Sequence, residues 1–321
     1  MRRRRLLATL ATALASAPAL ARSPVRRIGV LMGYGESDPG ASDYITALTQ
    51  GLNARGWRLG GTLEIVWRWA DGTPALFERH AAELVALKPD ALVAQGTPSV
   101  QALKAVAGAI PIVFTIVTDP VGQGMVQSLA HPGGTVTGFT DFDPAMAGKW
   151  MELLSEVKPK VSRVAVLFNP ETAPFAAPMI QAIEKAAPSF GMTSGATPCH
   201  DEGSIEAALG ANDGAVALPD LFNLVHRRAI VAAAARRRVP VIYFNRTFTA
   251  ASGLMSYGVD YAEQFRRAAD YVDRLLKGAR AADLPVQQPA EFDLSVNLRT
   301  ARVLGFELPQ TMVSVADEVI E

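Results

Sequence analysis

The chain has 321 residues, 49% of them hydrophobic, with 31 basic and 31 acidic side chains and one cysteine, Cys199. That size and apolar content supply one large or two medium domains with a real core, while a lone cysteine excludes a disulfide scaffold. The charge balance leaves no basic footprint for nucleic acid.

At the amino end, Met1 is followed by four arginines, Arg2 to Arg5, then by an uncharged apolar stretch from Leu6 to Leu20, with Ala19-Leu20-Ala21 before Arg22. This is the pattern of a secretory signal, so residues 1–21 are expected to be cleaved near Ala21 and the mature chain to work in the periplasm. The stretch is too short and too rich in Ala, Ser and Thr to span a bilayer comfortably. The arginines before Leu6-Leu7 also resemble a twin-arginine signal, although an ordinary secretory leader is equally basic and is the favoured reading. No cysteine stands at the cleavage point to carry a lipid. Without Arg2 to Arg5 the chain keeps 27 basic against 31 acidic residues, a net charge of about −4.

Beyond the leader, short β-branched runs alternate with longer helical patterns. Strands are predicted at 27–32, 63–69, 91–94, 112–116, 136–139, 163–168, 215–218, 240–243, 254–257 and 292–296. Between many of them apolar residues recur at helical spacing, as in Tyr44, Leu48 and Leu52, or Met146, Trp150 and Leu153. Strand and helix in alternation imply parallel sheets covered by helices on both faces. Ten strands exceed what one compact sheet of this kind holds, so an α/β protein with two doubly wound sheets of about five strands each is expected.

Five successive strands run into turns that pair a small polar residue with proline: Thr97-Pro98, Asp119-Pro120, Asp143-Pro144, Asn169-Pro170 and Pro219-Asp220. Each reads by itself as an ordinary cap in a strand-to-helix loop. Together they mark the carboxyl ends of parallel strands, where such sheets hold their ligands and where a helix N-terminus attracts an anion. The segment Gln95-Gly96-Thr97-Pro98-Ser99 is the best anion site, able to hold a ligand carboxylate through hydroxyls and backbone N–H groups. Asp119, Asp141 or Asp220 can hold an ammonium.

These residues also carry a resemblance. Pro111 to Gly122 (PIVFTIVTDPVG), Pro132-Gly-Gly-Thr-Val-Thr-Gly, Arg163-Val-Ala-Val-Leu-Phe-Asn-Pro, Gly253-Leu-Met-Ser-Tyr-Gly, Ala282-Asp-Leu-Pro-Val-Gln-Gln-Pro and Asn297-Leu-Arg-Thr-Ala resemble ABC importer substrate-binding proteins of the tryptophan/phenylalanine-binding-like family. The likeness runs from about Arg26 to Glu321. It implies a type I periplasmic binding fold, two α/β lobes joined by three crossovers and closing on a small ligand. On that basis one lobe is expected at 26–138 plus 251–285 and the other at 139–250 plus 286–321. The crossovers are expected near 138–142, 246–252 and 284–290. The region from Cys199 to Gly214 is shorter than the family's, leaving little room for a full helix and strand.

Under this fold the ligand-binding candidates are Gly33 and Tyr34, Thr97 and Ser99, Thr118 and Asp119, Asp141 and Phe142, Asn169, Asp220 and Phe222, Asn245, and Tyr257 with Asp260. Tyr34, Phe142, Phe222 and Phe248 offer ring faces to an apolar ligand portion, and each serves equally as lobe core.

Other chemistry has little support. Gly33-Tyr-Gly-Glu-Ser-Asp lacks the third glycine of a dinucleotide fingerprint, and Gly96-Thr-Pro-Ser-Val lacks the pattern of a nucleophile elbow. The four histidines, His80, His131, His200 and His226, form no ligand-spaced pair on one helix. The expectation is therefore a monomeric periplasmic protein without cofactor or metal. It would perform no catalysis and would carry an amino acid, aromatic or branched, or a related carboxylate to an ABC permease in the inner membrane. A ligand sensor feeding a membrane receptor, and more remotely an exported hydrolase, are the alternatives.

Overall fold

The computed structural model describes residues 25–38 and 40–321. The expected signal peptide lies outside them. Among the described residues no helix is long and apolar enough to cross a membrane.

The first half alternates strand and helix: β1 (Arg26–Met32), α1 (Ala41–Ala54), β2 (Leu63–Trp69), α2 (Pro74–Ala86), β3 (Ala91–Gln95), α3 (Gly96–Val106), β4 (Ile112–Val117) and β5 (Val136–Thr140). The five strands pair in parallel in the order β2-β1-β3-β4-β5. β3 and β4 are buried along their whole length, as expected of central strands covered on both faces.

The second half continues with α4 (Ala145–Ser155), β6 (Arg163–Phe168), α5 (Ala176–Ala186), β7 (Thr193–Pro198), α6 (Glu202–Gly210), β8 (Gly214–Ala217), α7 (Leu221–Val225), α8 (Arg227–Arg237), β9 (Val241–Tyr243), α9 (Thr247–Ala250), β10 (Met255–Gly258), α10 (Tyr261–Leu276), β11 (Asp293–Asn297), α11 (Leu298–Leu304), α12 (Gln310–Ser314) and β12 (Glu318–Ile320). Its seven-stranded sheet has the order β12-β11-β10-β9-β8-β6-β7. From β7 to β10 this repeats the order of the first sheet, and β11 and β12 extend it. All pairs are parallel except β10 with β11.

The ten predicted strands are present, and two were missed. β7, Thr193-Ser-Gly-Ala-Thr-Pro, is a half-exposed edge strand without an apolar face, and β12 is a three-residue edge. The expectation of purely parallel sheets is corrected by the β10–β11 pair. The supposedly cramped 199–214 region holds a nine-residue helix, α6, started by a capping box in which Asp201 and Ser204 exchange hydrogen bonds.

The chain passes between the sheets three times, after β5, after β10, and before β11. The second passage is at Val259–Asp260 rather than at 246–252, because the short helix α9 is the connection that lets β9 and β10 run parallel in one sheet. Strand β10, expected in the first lobe, therefore belongs to the second sheet. Helix α10 then packs on α1 and against β3, β4 and β5. Gly51 on α1 makes that packing close, since a Cβ there would come within 2.7 Å of the Ala269 Cβ. In the last passage the Thr140 N–H donates to the Gln287 carbonyl and the Gln287 N–H to that of Gly138, both at 2.9 Å, so the chain leaves the first sheet after Gln287.

The core is built from these faces. Trp150, Phe114, Phe248 and Phe265 are fully buried, each such side chain contributing roughly 1.5–3 kcal/mol. Trp150 also satisfies its indole N–H on the Tyr257 carbonyl at 2.8 Å.

Candidate functional site

Both sheets reverse strand order at the same place, between β1 and β3 in the first and between β6 and β8 in the second. At such a reversal the outgoing loops diverge and leave a crevice at the carboxyl ends. In the first sheet the loops begin with Gly33-Tyr34 and Gly96-Thr97, in the second with Asn169 and Pro219-Asp220. They meet across an inner cavity of about 30 Å³, walled by Tyr34, Gln95 to Pro98, Ile116, Asp141 and Tyr261, and by Thr172, Phe175, Pro219 to Leu221, Leu224 and Phe244.

Two buried carboxylates line this cavity, and burial pushes each up to about 6. Their surroundings differ. Asp220 accepts from the Asn169 N–H at 2.7 Å, the Phe222 N–H at 3.1 Å and the Thr172 hydroxyl at 2.5 Å, so its acceptor sites are largely spent on tying β6 to β8. Asp141 accepts from the Thr118 hydroxyl at 2.7 Å on one oxygen and, at a long 3.3 Å, from the Tyr261 hydroxyl on the other. Neither donor is cationic, and no wall residue is basic. Asp141 therefore keeps acceptor capacity for a positive group.

The start of α3 lines the same cavity as the carboxylates. Gly96 takes φ +77°, turning the chain directly from strand into helix. The residue before it, Gln95, spends its Oε1 on the Gly33 N–H at 2.8 Å and so leaves the first turn of α3 without a side-chain cap. Next to it Ile116 sits at φ +58°, costly for a β-branched residue, where the β4–β5 register shifts. Gln264 of α10 holds that distortion: its Oε1 accepts the Ile116 N–H and its Nε2 donates to the Thr140 carbonyl, both at 2.8 Å.

Of the sequence candidates, Tyr34, Thr97, Asp141 and Asp220 line the inner cavity. Thr118, Asp119 and Phe142 line a neighbouring chamber of about 350 Å³. Asp119 lies in an exposed turn and accepts the Gly122 N–H at 2.8 Å. Gly33, Ser99, Asn169 and Asn245 are packed behind the walls, with Asn245 bonded to the Thr247 N–H. Three candidates are not brought to either space. Phe222 stacks on His226, Tyr257 stacks on Phe292, and Asp260 caps α10 through the N–H groups of Ala262 and Glu263. Phe248, fully buried against Tyr243, is core. Sequence reading named the Gln95–Ser99 segment but missed Ile116, Thr172, Phe175, Leu221, Leu224, Phe244 and Tyr261. Only Thr172 and Phe175, and Leu221 and Leu224, carried a local signal, the Asn169-Pro170 and Pro219-Asp220 turns just before them.

Two loops touch across the crevice. The Arg227 guanidinium, on α8, pairs with the Asp38 carboxylate after β1 at 2.8 Å, their side chains 10% and 18% exposed. The Leu221 side chain lies 3.2 Å from where a Cβ on Gly33 would stand.

With this geometry in place, residues 36–320 match the family model described as ABC transporter substrate binding protein. The chain belongs to that family. It is a solute-binding protein of an ABC transporter, and the fold is that of the type I periplasmic binding proteins. The chain is 25% identical over 287 residues to a tyrosine-binding protein of Clostridioides difficile, covering 88% of this chain and 81% of the relative. A crystal structure of a conserved domain protein from Vibrio cholerae is 29% identical, with a TM-score of 0.84 over 92% of this chain and 99% of its own. A structure of an ABC domain in complex with L-Trp from Streptococcus pneumoniae shares the fold at 23% identity, again with a TM-score of 0.84, over 92% and 100% of the two chains.

Proposed function

We propose that this family member is the exported, non-catalytic component of an ABC importer and binds an amino acid with an apolar or aromatic side chain between its lobes. The observation that carries the reading is Asp141, a buried carboxylate with two neutral hydroxyl donors facing the crevice, which suits the ligand's ammonium. The uncapped first turn of α3 lines the same small cavity and suits the carboxylate. The tyrosine and L-Trp that the relatives' names carry fit that pair of ends, and the basic and apolar run before Arg22 supports export to the periplasm, where a permease would receive the loaded protein.

A thermal-shift screen of residues 22–321 against the L-amino acids and their decarboxylated amines tests it. An amino acid at a hundredfold excess over its dissociation constant should stabilise the protein by about 2.7 kcal/mol. A screen in which no amino acid raises the melting temperature overturns the proposal.

A further inference from the structure

The inner cavity, at about 30 Å³ against the roughly 10–15 Å³ that one water needs, has room for a small polar group and not for a ring as well. An amino acid's ring has to go elsewhere. The chamber of about 350 Å³ beside it is walled by Pro120, Val121 and Leu129 of the first lobe, Pro178 and Met179 of the second, and Phe142 and Pro144 between them. Three observations join the two spaces. Phe175, at the start of α5, lines both. Thr118 lines the chamber and donates its hydroxyl to Asp141, which lines the inner cavity. Along the chain Thr140 and Phe142 face the chamber while Asp141 between them faces the cavity.

Building on the amino-acid reading above, we infer that the ligand spans both spaces. Its charged end sits between Asp141 and α3, its side chain passes the edge of the Phe175 ring, and that side chain fills the Val121–Met179 chamber, which sets the side-chain specificity. The ligand class is an α-amino acid with a large apolar or aromatic side chain, because the chamber walls are mostly aliphatic and aromatic and its one carboxylate, that of Asp119, is engaged by its own turn. Both lobes contribute walls, so a side chain seated there draws them together.

The test is calorimetric titration of the mature chain with L-alanine, L-phenylalanine and L-tryptophan. The wild type should bind the aromatic acids at least tenfold more tightly than L-alanine. Two variants narrow the chamber from opposite lobes at exposed positions that carry little core, Val121→Trp and Pro178→Trp. Each should weaken L-tryptophan at least tenfold while leaving L-alanine within about twofold. Unchanged L-tryptophan affinity in both variants would overturn the chamber and leave the amino-acid reading standing. An equal loss for all three ligands would also overturn it, since the substitutions would then act on closure rather than on the side chain. No binding of any of the three to the wild type would sink both readings.

Discussion

Three aspartates were available to the ligand's ammonium, and their hydrogen bonds distinguish them. Asp119 caps its own turn, Asp220 is held by three donors, and Asp141 has two hydroxyl donors, one of them at 3.3 Å. An Asp141→Asn protein should fold and lose about 2 to 4 kcal/mol of affinity for an amino acid, whereas Asp119→Asn should change it little; titration of both variants with the best ligand of the screen checks this. The pH dependence has a definite sign. Burial raises the Asp141 carboxyl to about 6 from an unfolded value near 3.9, so the neutral form is favoured in the ligand-free fold. That contribution, about 3 kcal/mol, is present below pH 4 and is lost as pH rises through 6. An ammonium needs the ionised form, so affinity should rise over the same interval. Melting curves at pH 5 and 7.5 should show the free protein less stable, and the ligand's stabilisation larger, at the higher pH, with both trends weakened in Asp141→Asn. Strand ends and their polar residues were visible in the sequence because turn chemistry is local. That Asp141 and not Asp119 is left unsaturated was not, because its donors, Thr118 and Tyr261, come from 23 and 120 residues away.

At the scale of elements, periodicity located the strands with apolar faces and failed for β7 and β12, exposed edge strands with no buried apolar face. The lobe boundaries implied by the resemblance misplaced β10, since a strand's composition does not say which of two sheets will accept it. The contact of α8 with the loop after β1 was equally hidden. His226-Arg227-Arg228 reads as a solvated basic run, yet Arg227 is only 8% exposed and donates to both the Leu224 carbonyl and Asp38. This ion pair bridges the two lobes and exists only while they are together. Replacing Arg227 with Ala leaves Asp38 unpaired in the closed form, a cost of about 2 kcal/mol. The closed complex should then release its ligand roughly 30-fold faster, with a smaller change in association, as stopped-flow fluorescence with displacement would show. Arg227→Lys should recover part of the loss. Identical dissociation rates in wild type and Arg227→Ala would make the pair incidental to closure.

For the whole molecule, the repeated strand order places two ligand-facing edges opposite each other, and the three passages after β5, after β10 and before β11 are the chain's links between them. The first and third are tied by paired backbone hydrogen bonds between Gly138, Thr140 and Gln287, so they bend as a unit, while the second runs through only Val259 and Asp260 between β10 and α10. In the arrangement described, Leu221 abuts Gly33, Arg227 holds Asp38, and the inner cavity is about 30 Å³, too small to hold a whole amino acid. On the proposed reading, an amino acid would enter with the lobes parted and be held as they return, the ligand supplying the free-energy difference between the two populations. Solution scattering should find the ligand-free protein with a larger radius of gyration than this closed arrangement gives, and saturating ligand should bring the two into agreement. Arg227→Ala should need more ligand for the same compaction, because one of the contacts that favours the closed form is gone. A ligand that raises the melting temperature without changing the radius would leave a binding protein whose lobes do not move, and the ion pair across its crevice would then be a permanent strut instead of a latch.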